Sequence, residues 1–168
     1  MPSDDYGSFN DDVDKIANDA VLFRRITPSF VHWDGLQSAG TPQVPRQGFQ
    51  DYPEQIARQR FNLPGACMSV AVQYILIDEG YDPEKLIIGY PGYGVAAINA
   101  GVMRTLESPT GANWTQGVMW NPTDDEPWHA VVFCQNGGKK TTGMQGAIAG
   151  TATWTILPNP PNESATAA

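Results

Sequence analysis

The sequence predicts an α+β fold: a single domain in which helices cover an antiparallel sheet. The length of 168 residues is that of one ordinary domain with its own core. Five Trp, six Tyr and six Phe supply the apolar surface that a packed core needs. The apolar patterns run in the order helix, strands, helices, and then strands with one more helix, which is typical of α+β domains.

The two ends of the chain differ in composition from its middle. Residues 1–11 are acidic and polar, so we expect a disordered acidic arm there. Residues 158–168 are rich in proline and then in small polar side chains, so we expect a flexible tail. Residues 12–157 hold the apolar patterns without a linker, and we expect them to form the single globular domain.

The first elements are predicted as a helix followed by strands. Residues 12–20 place apolar side chains at helical spacing. Residues 21–27 are rich in β-formers and stop at Pro28, which predicts a strand, and residues 30–33 form a second strand or continue the first. Residues 34–48 have no periodic pattern and are expected to form a loop, functional or mobile.

The middle of the chain predicts two helices separated by a tight turn. Residues 54–61 allow a short helix that ends before Pro64-Gly65, a turn sequence. The next helix is expected to be buried nearly all round, with Cys67 on its first turn and Gly80 at its end. It is the element around which we expect the other elements to pack.

The segment after Gly80 predicts further short elements. Asp82 is a candidate N-cap with Pro83 at the first helical position. Residues 89–94 are rich in glycine but lack the lysine of a phosphate-binding loop, so we interpret them as a turn and not as a nucleotide site. Residues 95–106 have helical apolar spacing in spite of one glycine.

The last third of the chain predicts three strands and one helix. Residues 114–120 and 128–134 read as strands, the second being the clearest in the sequence. Residues 140–149 fit a helix weakened by glycine, and residues 151–157 alternate as a last strand does.

The charge of the chain argues against several classes of partner. A net charge of −8 leaves too few clustered basic residues for nucleic acid or for an anionic membrane surface. No apolar run approaches the roughly 20 residues of a spanning helix. The acidic start does not fit a signal peptide, so we expect a cytoplasmic protein. The two cysteines are compatible with two free thiols, and a disulfide between them is the alternative.

Cys67 and His129 suggest a catalytic pair. A cysteine at a helix start is activated by the positive end of the helix dipole, and a histidine alongside would act as its general base. In their order and context these residues resemble papain-like thiol hydrolases, which implies an amide or thioester substrate. The resemblance would make Gln59 an oxyanion donor, and Asn136 or Asp124 the residue that orients the histidine.

Structural roles for the same residues are the competing interpretation. A lone cysteine before a buried helix often packs in the core, and a histidine that opens a strand often has a structural hydrogen bond. His32 is a weaker base candidate than His129, because no nucleophile lies near it in the sequence. No closely spaced cysteine pair is present, so we predict neither a metal site nor a cofactor.

A second resemblance is to a family of small bacterial proteins without an assigned activity. It rests on five short stretches: Arg24-Arg-Ile26, Trp33-Asp34, Phe49-Gln-Asp51, Met68-Ser-Val70 and Glu126-Pro-Trp-His-Ala130. The resemblance implies that the family has the residues Arg24, Arg25, Asp51, Glu126 and His129 in common. It does not require a cysteine at the position of Cys67, which weakens the catalytic role of that residue.

A third resemblance is to ADP-ribosyl transferases. An arginine on an early strand, a strand at Phe49 and the late Glu126 would hold NAD in that interpretation. The serine that such enzymes carry before the phenylalanine is absent from this chain.

Two functional hypotheses follow from the sequence. The first is a small accessory protein that binds a protein partner or a small polar ligand through aromatic and charged side chains. Its predicted binding residues are Arg24, Arg25, Trp33, Asp51, Tyr90, Tyr93, Glu126 and Trp128. The second is the hydrolase with Cys67 as nucleophile and His129 as base.

Overall fold

The protein is seen here as a computed structural model that describes residues 6–33, 41–107, 115–136 and 138–159. Within these residues one antiparallel sheet of six strands carries four α-helices, which confirms the predicted α+β class and the single domain. The strands are β1 (Val21–Ile26), β2 (Met68–Val72), β3 (Gly94–Asn99), β4 (Gln116–Trp120), β5 (His129–Cys134) and β6 (Thr153–Ile156). The helices are α1 (Glu54–Phe61), α2 (Gln73–Asp78), α3 (Ala100–Thr105) and α4 (Thr142–Thr151).

The order of strands across the sheet is β4-β5-β2-β1-β3-β6. The first strand of the chain is therefore central, with β2 on one side and β3 on the other. Three short 3-10 helices, Pro28–Phe30, Arg46–Phe49 and Pro83–Ile87, lie between the main elements. Among the described residues, no helix has the length and apolar character needed to cross a membrane.

Several elements lie where the sequence predicted them. The strands β1, β4, β5 and β6 and the helices α1 and α4 are confirmed, each within a few residues. Asp82 caps the turn that begins at Pro83, since its Oδ1 accepts a hydrogen bond from the N–H of Glu84 at 3.1 Å, although the helix is 3-10 and not α.

The predicted central helix was wrong in its first half. Met68–Val72 is a strand paired with β5 on one side and β1 on the other, and the helix α2 begins only at Gln73. The chain passes from strand to helix without a turn, so the apolar run has no break at the boundary. A central strand is buried on both faces, and such a run has no alternation to distinguish it from a buried helix.

The same error affects residues 95–106. They form β3 and then α3, with Asn99 at the junction. The side chain of Asn99 accepts a hydrogen bond from the N–H of Val102 at 2.9 Å, which is N-cap geometry. The helix predicted at residues 12–20 is absent, and that segment is a series of turns. Residues 30–33 form neither a second strand nor a continuation of the first, because Phe30 ends a 3-10 helix and residues 31–33 have no regular structure.

The sheet has a core on each face. Met68 pairs with Val132, and Val132 with Val118, so these three side chains share a face with the larger core, which includes Met144 and Ile148 of α4. The next set, Ser69, Val131 and Met119, points to the opposite face. There a smaller apolar cluster includes Ala57 of α1 and Leu63 just after it.

Part of the segment predicted as a disordered arm makes defined contacts with the sheet. Phe9 stacks on Phe133 with ring centroids 4.5 Å apart. Asp11 is paired with Arg104 at 2.8 Å and also accepts the N–H of Val118. These contacts cover the free edge of β4, which would otherwise expose unpaired backbone groups. Residues 1–5 and 160–168, and residues 34–40 of the predicted loop, lie outside the described residues.

Candidate functional site

Strand register brings Ser69 and His129 together on one face of the sheet. His129 of β5 lies opposite Ala71, and Ser69 of β2 lies opposite Val131. Ser69 and His129 are thus diagonal neighbours, a relation that an imidazole is long enough to span. The distance between Ser69 Oγ and His129 Nε2 is 2.7 Å, a hydrogen bond. Ser69 is half-buried and His129 is buried.

The second ring nitrogen of His129 fixes the direction of this hydrogen bond. Nδ1 lies 2.7 Å from the carbonyl oxygen of Asn121, which can only accept. The proton of the neutral ring is therefore on Nδ1, and Nε2 accepts the hydroxyl proton of Ser69. The ring of Phe61 stacks on the imidazole with centroids 4.9 Å apart, which further restricts its orientation.

The surroundings keep His129 neutral. Burial lowers the pKa of its imidazole below the usual value; the hydrogen bond to Asn121 and the charge of Glu126 oppose this shift, and the charge of Arg25 adds to it. A neutral imidazole with a free lone pair on Nε2 is the form that acts as a general base.

A small cavity opens beside the Ser69–His129 pair. Its volume is about 30 Å³, enough for a water molecule but not for a whole ligand. Its walls bring together the pair and four of the predicted binding residues: Arg24, Arg25, Glu126 and Trp128. Trp128 itself is buried and packs edge-on against Tyr81.

A second cavity of about 340 Å³ shares Arg24 and Arg25 with the first. We call it the arginine cleft. Its walls are formed by nine residues: Arg24, Arg25, Thr27, Phe30, Gly48, Tyr52, Arg60, Tyr90 and Tyr93. The volume is within the range of pockets that hold small molecules.

Arg24 is held in the gap where β1 and β2 separate. Its Nε donates to the carbonyl of Gly48 at 2.9 Å, and its Nη1 donates to the carbonyl of Ser69 at 2.8 Å. Burial lowers the pKa of the guanidinium, and the hydroxyl of Tyr52 and the charge of Asp51 oppose this shift. The arginine therefore links the backbone at Ser69 to the wall of the cleft.

Arg25 lies against an aromatic wall. Its guanidinium is 4.1 Å from the ring centroid of Tyr90, and Nη1 donates to the carbonyl of Leu86 at 3.2 Å. Tyr93 packs against Tyr90 with centroids 5.2 Å apart. The predicted turn at residues 89–94 is present, and it presents these two rings because Gly92 adopts a positive φ of 80°.

The structure does not pair Cys67 with His129. Cys67 is buried just before β2 and forms an isolated antiparallel bridge with Tyr52. It lies four residues before Ala71, which is the residue of β2 opposite His129. Because it directly precedes a strand, it does not lie at the start of a helix as predicted. Burial, with a smaller contribution from Asp51, raises the pKa of the Cys67 thiol to about 12.

The other residues of the predicted catalytic group are apart from the pair. Gln59 is exposed on α1. Asn136 lies beyond the far end of β5, where its side chain accepts the N–H of Gly138 at 3.0 Å. The group that orients His129 is a backbone carbonyl, which sequence reasoning has no means of finding.

Two of the predicted binding residues, Trp33 and Asp51, line neither the small cavity nor the arginine cleft. Asp51 is completely buried in an ion pair with Lys140. Trp33 is half-buried, packs against the larger core, and has a buried indole N–H without a partner in the described part of the chain.

Sequence reasoning did not include three residues that contribute to the site: Ser69, Tyr52 and Arg60. Ser69 had one available signal, since it is the only polar side chain in the apolar run Met68–Val72. Tyr52 and Arg60 had none, because their contribution depends on where the fold places α1 and the residues just before it. Among the described residues, no group of three His, Cys, Asp or Glu side chains lies close enough to hold a metal ion.

A larger cavity, of about 910 Å³, lies between residues 41–47, α4 and β6. Of the described residues that line it, only His32 and Arg46 have charged or titratable side chains, and none is a predicted site residue. The chemistry-bearing side chains converge instead at the Ser69–His129 pair and the arginine cleft.

Comparison with known proteins adds no identity to this geometry. No family model, no curated protein and no solved structure matches the chain.

Proposed function

We propose that the protein binds a small organic anion that carries a flat ring, such as a nucleoside phosphate, in the arginine cleft. The observation that carries the proposal is the convergence of Arg24, Arg25 and Arg60 on one cavity whose other walls are largely aromatic. The proposal narrows the predicted small polar ligand to a chemical class.

The charge distribution favours an anion. The chain has a net charge of −8 and only ten Lys and Arg residues, yet three of these line one cavity. Among the residues that the structure describes, no acidic side chain is part of its walls. Among the described residues, none of the three arginines forms an ion pair with a carboxylate. Guanidinium groups without a carboxylate partner are available to phosphate or carboxylate oxygens of a ligand.

The aromatic walls favour a ring on the same ligand. Tyr52, Tyr90 and Tyr93 all line the cleft. The ring centroid of Tyr52 lies 5.9 Å from the guanidinium carbon of Arg24 and 5.6 Å from that of Arg60. Tyrosine rings present a large rigid surface for stacking, at a low entropic cost. A ligand with only a charged group would leave these rings unused.

Binding measured by calorimetry tests the proposal. ADP and NAD⁺ are compared with adenosine, which lacks the phosphates, and with ribose 5-phosphate, which lacks the base. We expect the two nucleotides to bind more tightly than either fragment, and their affinity to fall as salt is added. Equal affinity for adenosine and ADP, or no binding of any of the four at millimolar concentration, would contradict the proposal.

A pair of arginine variants locates the binding. Arg25→Gln removes a guanidinium from the cleft, whereas Arg58→Gln removes one from the exposed face of α1, where it pairs with Glu54. We expect Arg25→Gln to weaken ADP binding by at least about tenfold, because a hydrogen bond to a charged group contributes about 1.5–3 kcal/mol. Arg58→Gln is expected to bind as the unsubstituted protein does. Equal loss in both variants would indicate a general charge effect.

A further inference from the structure

We propose that Ser69 is a nucleophile with His129 as its general base, and that the protein hydrolyses a carboxylic ester whose anionic part is held by the arginine cleft. The proposal rests on the proposed function only for the choice of substrate class. The reactivity of Ser69 is an independent claim, and it has a test that does not use the ligand.

The first support is the direction of the hydrogen bonds. The carbonyl of Asn121 holds the proton on Nδ1 of His129, so Nε2 is the acceptor for the hydroxyl of Ser69 at 2.7 Å. This is the arrangement in which an imidazole withdraws a proton as a serine oxygen attacks. A backbone carbonyl takes the place of the carboxylate that often orients such a histidine.

The second support is access. A serine and a histidine that serve only packing need no opening, but the Ser69–His129 pair lines a cavity, and Ser69 is half-buried and not sealed. The cavity of about 30 Å³ holds a water-sized group, and Arg24 and Arg25 line both this cavity and the arginine cleft. The bulk of a substrate would lie in the cleft, with its ester carbonyl at the pair.

The third support is the charge beside the pair. Arg25 lines both cavities, and its charge reaches His129, so a positive charge lies near the place where negative charge would develop on the carbonyl oxygen. Its charge acts on His129 as well, together with burial, to keep the imidazole neutral at pH 7. Glu126 also lines the small cavity, and its charge opposes the effect of Arg25 on the pKa of His129.

The reaction proceeds in two balanced steps. Ser69 Oγ attacks the carbonyl carbon while its proton passes to His129 Nε2; the bond to the leaving alcohol breaks, and the alcohol oxygen takes that proton. Water then attacks the acyl-serine and gives a proton to His129 Nε2, which returns it to Ser69 Oγ. The net change is one ester and one water converted to one acid and one alcohol.

Labelling with a fluorophosphonate, followed by peptide mapping, tests the nucleophile in the full chain. The serine oxygen displaces fluoride from phosphorus, so a stable adduct marks an activated serine. We expect an adduct on Ser69, none on the exposed Ser29, and loss of labelling in Ser69→Ala. No adduct on Ser69, or equal adducts on Ser69 and Ser29, would overturn the proposal.

A second variant keeps the test informative if substitutions at His129 impair folding. In Ser69→Cys the new thiol replaces the hydroxyl beside Nε2, and we expect it to react with iodoacetamide near pH 6.5 much faster than the buried Cys67 in the same molecule. A new thiol as slow as Cys67 would overturn the role of His129 as base.

The outcomes separate the two proposals. Labelling of Ser69 without nucleotide binding would remove the proposed ligand and retain the nucleophile. Nucleotide binding without labelling would make Ser69 and His129 ligand-positioning residues and overturn the nucleophile.

Discussion

Asp51 and Lys140 form an ion pair in which both side chains are completely buried. One carboxylate oxygen accepts from the Lys140 ammonium group, and the other accepts the backbone N–H of Lys140 at 2.7 Å. Asp51 precedes α1 and Lys140 precedes α4, so the pair joins segments that are 89 residues apart. The sequence suggested a binding role for Asp51, but these contacts indicate a structural one.

Breaking this pair is expected to destabilise the fold strongly. Asp51→Asn leaves the ammonium group of Lys140 buried without a counter-charge, which costs about 3–5 kcal/mol in the free energy of unfolding. The exposed pair of Glu54 and Arg58 is the matched control, since Glu54→Gln is expected to cost less than about 1 kcal/mol. Urea unfolding of the parent protein and of the two variants measures both losses of stability. Similar losses in the two variants would show that burial of the pair does not matter.

The thiol of Cys67 is expected to be inert in the native protein. Because burial raises its pKa to about 12, its thiolate fraction at pH 8 is more than about a thousandfold below that of an ordinary cysteine. Alkylation with iodoacetamide, mapped by mass spectrometry and compared with the urea-unfolded chain, measures this. We expect the same slow rate in His129→Gln. Rapid alkylation near pH 6 that depends on His129 would instead support the Cys67 hydrolase.

Local patterns predicted much of the fold. The strand β5 and the helix α1 have clear breaks at both ends, and the sequence located both. It failed where a buried strand passes directly into a helix, at β2–α2 and at β3–α3. At both junctions the apolar run is continuous, and the sequence signal for the boundary is weak. At Asn99, for example, the N-cap role is recognised only from the hydrogen bond in the structure.

The candidate site was predicted in part. His129, Arg24, Arg25, Tyr90 and Tyr93 were all singled out, and each contributes to the Ser69–His129 pair or to the arginine cleft. The partner of His129 was assigned as a cysteine because the helix prediction gave Cys67 an activating position. Strand register decides the partner instead, and register between distant strands is not readable from one sequence.

His129 is expected to make the stability depend on pH below about 6.5. The pKa of its imidazole is lowered in the folded protein, so between the folded and unfolded values only the unfolded chain takes up the proton. Stability therefore falls as the pH decreases through this window, by up to about 1.4 kcal/mol per pH unit. The plot of the free energy of unfolding against pH should be shallower for His129→Gln than for the parent protein. The matched control is His32→Gln, at the exposed second histidine, and its plot should follow that of the parent. Superimposable profiles for all three proteins would contradict the assignment.

Two glycine substitutions should change stability in opposite directions. A Cβ at Gly117 of β4 would clash with the ring of Phe133, which is held by stacking on Phe9. Gly117→Ala is therefore expected to cost about 1–3 kcal/mol, as overpacking does. A Cβ at Gly146 of α4 meets nothing within 4 Å, so Gly146→Ala should stabilise by about 0.5–1 kcal/mol through helix propensity. Thermal unfolding of the two variants measures the contrast. A Gly117→Ala protein as stable as the parent would mean that the Phe9–Phe133 stack moves aside at little cost, and that the N-terminal segment is not firmly held against the edge of β4.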